Sequence, residues 1–198
     1  MSRRLSKLTA LAVAAILLVA ASPAMSKVFH ARDELFALAF PAADEVVARD
    51  FFLKPAERSA IEQRAKSTLD SNLLTVYVGT RAGEVIGYAF VDTHIVRTLP
   101  ETFLIVLDSA GKVTATHVLA FYEPLEYLPS HRWLAELEGH SLHDDLRVGG
   151  EIAAITGSTL SSRAVVGGAR RALAAFEVLL TTCDSSLPEN GHAIACSR

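Results

Sequence analysis

A run of small and hydroxyl-bearing residues, Ala153-Ala154-Ile155-Thr156-Gly157-Ser158-Thr159-Leu160-Ser161-Ser162, lies just upstream of the longest helical pattern in the chain. A helix start offers unsatisfied N–H groups and a partial positive charge, which suits a phosphate. Gly149, Gly150 and Gly157 loosen the approach, and Gly157 lets backbone come close to a bulky group. Ser161 or Ser162 is positioned to cap the helix that follows. No Lys follows the glycine, so the run is not a Walker A loop. Taken by residue chemistry alone, the plainer reading is a hydroxyl-rich helix cap.

The element that must position this run is the helix expected over residues 163–181. Val165, Ala169, Ala172, Phe176, Leu179 and Leu180 recur there at three- and four-residue spacing. Its Gly167-Gly168 pair costs about 1 kcal/mol per glycine relative to alanine and points to close packing. Arg163, Arg170 and Arg171 are available to pair with acids, and Arg163 to hold a phosphate. Upstream, strands are expected over 73–79, 85–96, 103–107 and 113–122, separated by turns at 81–84 and 108–112. They predict a meander of about four antiparallel strands with flanking helices, an α+β architecture. Residues 31–53 read as helix interrupted at Pro41, and a second helix begins at Pro55 with Ile61, Ala65 and Leu69 on its apolar face. Residues 129–138 read as a short helix carrying Trp133, Leu134 and Leu137 and stopped by Gly139.

The segment Phe121-Tyr122-Glu123-Pro124-Leu125-Glu126-Tyr127 closes the last strand. Glu123 is either a strand-end carboxylate in water or a buried group facing a ligand. Tyr122 and Tyr127 either complete a core or stack on a flat ring. His140-x-x-His143 with Asp144 and Asp145 lacks the i, i+4 pairing and Cys partner of common zinc sites, so no metal is assigned. The remaining histidines, His94 and His117 among them, are scattered, and no Ser-His-Asp or Cys-His order stands out.

Thr156-Gly157-Ser158-Thr159 resembles the Ser/Thr-Gly-Ala-Thr signature of the FMN-binding domain family. That family includes the C subunit of sodium-translocating NADH:quinone reductase and the G subunit of the Rnf electron-transport complex. The resemblance runs from about residue 83 to residue 180. It implies FMN esterified through its phosphate to Thr159, with Thr156, Gly157 and Ser158 shaping the loop and Leu160 and Ser161 continuing it toward the helix. It implies a separate magnesium-dependent flavin transferase that makes the bond outside the cytoplasm. Glu123-Pro124 loosely matches a Glu-Thr-Pro segment that lies near the flavin in the larger family, with the Thr missing. Trp133 and Gly139-His140 echo a further pattern. The chain departs from the family at Ala153, where an Asp usually stands; the nearest acid in sequence is Glu151.

The beginning of the chain agrees with an extracytoplasmic destination. Arg3, Arg4 and Lys7 precede an apolar run from Leu8 to Ala21, followed by Ala24-Met25-Ser26. This is a secretory signal pattern, and its apolar run of 14 residues falls short of the roughly 20 that span a bilayer. Cleavage is expected after Ala24 or Ser26; removing residues 1–26 leaves 172 residues, with 16 of the 19 basic residues against all 22 acidic ones, a net charge of −6. That balance argues against nucleic-acid binding. Cys183 and Cys196, with 12 residues between them, are expected to form a disulfide in an exported chain, worth roughly 3 kcal/mol on the chain-entropy model. The expected organisation is a signal peptide over 1–26, a helical segment over 27–72, an FMN-binding domain over 73–182 and a tail over 183–198. The expected function is a periplasmic electron carrier with a membrane-bound or periplasmic redox partner. The competing readings are a flavin-free exported module for a ligand or partner, and a small periplasmic flavin reductase or oxidase.

Overall fold

The computed structural model describes residues 27–28 and 32–181. The signal pattern and both cysteines lie outside the described residues.

The strands are β1 (Lys27–Val28), β2 (Glu45–Phe52), β3 (Leu73–Arg81), β4 (Glu84–Val96), β5 (Leu99–Asp108) and β6 (Val113–Phe121). All pairings are antiparallel, in the order β1-β6-β5-β4-β3-β2. Five full-length strands therefore form a meander, and the two-residue β1 adds to its far edge. The helices are α1 (Arg32–Ala39), α2 (Pro55–Ala65), the single turn α3 (His131–Leu134) and α4 (Thr159–Ala175). Short 3-10 turns cover Leu125–Tyr127 and Ala135–Leu137, and a π turn, Phe176–Leu180, prolongs α4. The α+β architecture expected from the strand pattern is present.

Strand parity explains the layering. On β5, Phe103, Ile105 and Leu107 point to one face and Leu104 and Val106 to the other, and all five are buried. The first face packs with Tyr88 and Phe90 of β4 against Val165, Ala169, Ala172 and Leu173 of α4 and Ile61 of α2. The second face carries a smaller cluster in which Ala39 and Phe40, at the end of α1, meet Ala89, Leu104, Val106 and Leu119. The cross-strand pair Gly79 and Gly87 leaves a slot for the Phe40 ring, since a Cβ at Gly79 would lie 2.6 Å from it.

The helix expected across residues 31–53 is corrected. Only Arg32–Ala39 is helical, and Glu45–Phe52 is an edge strand paired with β3 along its whole length. Val46, Val47, Phe51 and Phe52 are β-branched or aromatic, and burial along the strand largely alternates. Residues 45–52 thus belong to the same sheet as residues 73–121, and α2 packs on α4. Pro55 opens α2 as expected, with Glu57 returning to the Lys54 N–H.

Candidate functional site

The signature is a tight turn joined to a helix. Ser158 N–H donates to the Ile155 carbonyl at 3.2 Å, closing a turn whose third residue, Gly157, has φ 87°. A Cβ at Gly157 would meet nothing within 4 Å, so backbone conformation is what requires glycine there. Helix α4 then begins at Thr159, with Ser158 as its N-cap residue. The expected cap at Ser161 or Ser162 is corrected, because both lie inside the first turn and are buried. Ser162 donates to the Ser158 carbonyl at 2.8 Å, and Ser161 donates to Glu101 at 2.7 Å. Ser158 donates its hydroxyl to the Tyr127 carbonyl and does not cap. The first-turn N–H groups of a 17-residue helix are therefore left without a side-chain acceptor.

A small recess opens beside this turn, lined by Val96, Arg97, Glu123, Tyr127, Gly157, Ser158, Leu160 and Ser161. Of the seven residues expected to form the site, five line it: Gly157, Ser158, Leu160, Ser161 and Glu123. Thr156 is exposed on the turn, and Thr159 is half-buried next to the lining. The Thr159 hydroxyl is held only by a long contact, 3.4 Å, to the Ile155 carbonyl. Glu123 is buried, and its Oε1 has no hydrogen-bond partner. The Arg97 guanidinium sits 4.7 Å from the centre of the Tyr127 ring. Leu160, one of the lining residues, is exposed.

The loop before the signature is held from behind. Trp133 Nε1 donates to the Ala153 carbonyl at 2.7 Å, and Ala153 N–H donates to Glu136 Oε2 at 2.8 Å. Trp133 is buried in the main core. Glu151 pairs with His140 at 3.4 Å instead of standing at Ala153, so the carboxylate at that position comes from Glu136.

Beneath the recess lies a polar chain in which Ser161 and Arg171, both named from the sequence, are joined through His94, left scattered there, and Glu101 and Asp92, which were not singled out. Ser161 meets Glu101, which is fully buried; Glu101 Oε2 lies 3.5 Å from His94 Nε2; and His94 Nδ1 lies 2.8 Å from Asp92 Oδ2. Arg171 clamps Asp92 with Nε and Nη2 at 2.8–2.9 Å and donates through Nη1 to Ser67 at 2.6 Å. Burial would raise the Asp92 carboxyl, but hydrogen bonding to His94 and the Arg171 charge hold it below its ordinary value. Burial would likewise lower His94, but its bonds to Asp92 and Glu101 outweigh that and raise it. One signal was available. Asp92 and His94 share strand parity with Tyr88, Phe90 and Val96, and Glu101 shares it with Phe103, Ile105 and Leu107. Charged residues on the inward parity of otherwise apolar strands mark a buried network.

Other candidates separate. Arg163 lines a broader groove of about 1050 Å³ between α2, α4 and the loop 142–148, together with Lys66, Arg147 and Arg170. His140 and His143 have different partners, Glu151 and Glu177. Among the described residues, no group of three or more His, Cys, Asp or Glu could hold a metal ion, and no helix is long and apolar enough to cross a membrane. No protein-family model matches the chain, and no curated protein matches it by sequence.

Proposed function

We propose that this chain is an extracytoplasmic FMN-binding electron-transfer protein with the flavin phosphate esterified to Thr159. The observation that supports it most is the state of the signature. Thr159 opens a long helix that no side chain caps, its hydroxyl is half-buried and loosely held, and the recess beside it contains a buried carboxylate oxygen without a partner. The first-turn N–H groups and the helix dipole suit a phosphate diester next to Thr159. Exposed Leu160, with the Arg97–Tyr127 pair, offers an apolar and aromatic surface of the kind a flat ring system covers. The residues that would hold the group are Thr159, the first-turn N–H groups of α4 and this surface, because the recess itself, about 10 Å³, is too small for the ring.

When bound, FMN supplies one- and two-electron transfer, and the protein sets its orientation and electrostatic surroundings. Gly157 and Ser158 fix the turn, Ser161 ties the first helical turn to the sheet, and Glu123 offers a polar contact inside the recess. A covalent tether prevents loss of the cofactor to a dilute compartment. The partners are a flavin transferase for maturation and a membrane-bound or periplasmic redox protein.

The test is intact mass of the exported protein after co-expression with a flavin transferase. An added FMN phosphoester is expected, with yellow in-gel fluorescence that survives denaturation and disappears in Thr159→Ala. Unmodified, colourless protein with no affinity for added FMN overturns the reading. The broad groove favours the flavin-free alternative, in which its exposed Lys66 and Arg163 receive an anionic ligand or partner. Colour of the purified exported protein separates the two.

A further inference from the structure

The chain Ser161–Glu101–His94–Asp92–Arg171 runs from the lining of the recess to the middle of α4 through the protein interior. Its protonation can be worked out atom by atom. Asp92 receives two nitrogens of Arg171 and so acts as an acceptor, which makes His94 Nδ1 a donor to it. Ser161 donates its hydroxyl to Glu101 Oε1. That leaves His94 Nε2 facing Glu101 Oε2 at 3.5 Å; both atoms are buried, and neither has a hydrogen-bond partner. A nitrogen lone pair opposed to a carboxylate oxygen in a buried site is repulsive. A proton on His94 Nε2, directed at Glu101 Oε2, removes the conflict. With that proton, the charges of Arg171, Asp92, Glu101 and His94 sum to zero; without it, the interior holds a net negative charge. Phe103 stacks against the imidazole with ring centroids 5.7 Å apart and helps fix its plane.

We propose that His94 holds one exchangeable proton on Nε2, directed at Glu101 beneath the recess, and that Ser161 couples its occupancy to charge arriving there. The charged and titratable groups facing the imidazole are Asp92 on its own strand, Glu101 on β5 and, through Asp92, Arg171 on α4. Negative charge entering the recess strengthens proton binding at the pair. By reciprocity, the proton favours the more negative state of whatever occupies the recess. His94 is thus a positioning residue that sets the electrostatic response of the site without touching the ligand. The inference rests on the flavin reading only for the group that brings the charge.

The experiment is a pH titration of the His94 ring resonances in exported flavin-free protein, in Glu101→Gln and in Ser161→Ala. Wild-type His94 is expected to bind its proton more tightly than an exposed histidine. Glu101→Gln should weaken that binding about tenfold. Ser161→Ala, which removes a donor from Glu101, should strengthen it several-fold. Wild-type titration at the ordinary value, or an unmoved midpoint in Glu101→Gln, overturns the proton site; movement in Glu101→Gln without any in Ser161→Ala overturns the coupling. In flavin-loaded protein, His94 is expected to hold its proton several-fold more tightly after reduction of the cofactor than before, and equal affinities overturn the coupling as well. Protein that takes no flavin sinks the reading of the previous section while leaving the flavin-free titrations to judge this one.

Discussion

Ala153 carries no side-chain function of its own, yet both of its backbone polar groups are held: Trp133 takes the carbonyl and Glu136 the N–H. Glu136 thereby places a carboxylate where the resemblance expects Asp, from a residue 17 positions upstream. Glu136→Gln keeps an acceptor for the Ala153 N–H and removes only the charge. If that carboxylate serves flavin transfer, Glu136→Gln lowers the attachment yield several-fold, and adding Ala153→Asp restores it. In-gel flavin fluorescence per mole of protein measures both. Equal yields in wild type and Glu136→Gln would assign Glu136 to the backbone alone. At this scale the turn before α4 was legible, because its glycine and hydroxyls are contiguous. Glu136, His94 and Glu101 were not, because their partners are brought together only by sheet register and loop return.

Helix α4 shows what a whole element contributes. Its two adjacent glycines differ in role. A Cβ at Gly168 would lie 2.7 Å from Asp92 Oδ2 and 2.9 Å from its Cγ, so the helix approaches β4 closely enough for Arg171 to clamp that carboxylate. A Cβ at Gly167 would meet nothing nearer than 3.5 Å. Gly168→Ala is therefore expected to destabilise by about 1–3 kcal/mol through overpacking. Gly167→Ala is expected to stabilise by up to about 1 kcal/mol through helix propensity. Urea midpoints with unchanged m-values decide both, and a stabilised Gly168→Ala protein would contradict the packing argument. The sequence period located this helix but started it four residues late, because Thr159 and Leu160 precede the regular apolar stripe. It misread β2 as helix, since an edge strand with Glu45, Arg49 and Asp50 on it lacks the long apolar run that betrays β5.

Across the whole molecule, the buried charges tie stability to pH in two directions. His94 is raised in the folded state. Its contribution is complete below the unfolded value, about 6.5, and is lost as pH rises through the folded value. Asp92 is lowered, so its contribution is complete above about 3.9 and is lost as pH falls through its folded value. Urea unfolding across this range should show a plateau with a decline on each side, and His94→Gln should flatten the alkaline decline. An alkaline arm unchanged in His94→Gln would assign that decline to other groups. Arg171→Ala, which strands Asp92 inside, is expected to cost about 3 kcal/mol near neutral pH. The α+β class was legible from strand spacing alone, whereas the second, smaller core under Phe40 was not, because it depends on α1 folding back over the sheet. Trp133 is the sole tryptophan of the chain, and its indole nitrogen is bonded to the segment leading into the Thr156–Thr159 turn. Its ultraviolet emission is therefore a built-in, label-free optical reporter, one that follows this segment through chemical unfolding, and on titration with any candidate ligand, without any dye.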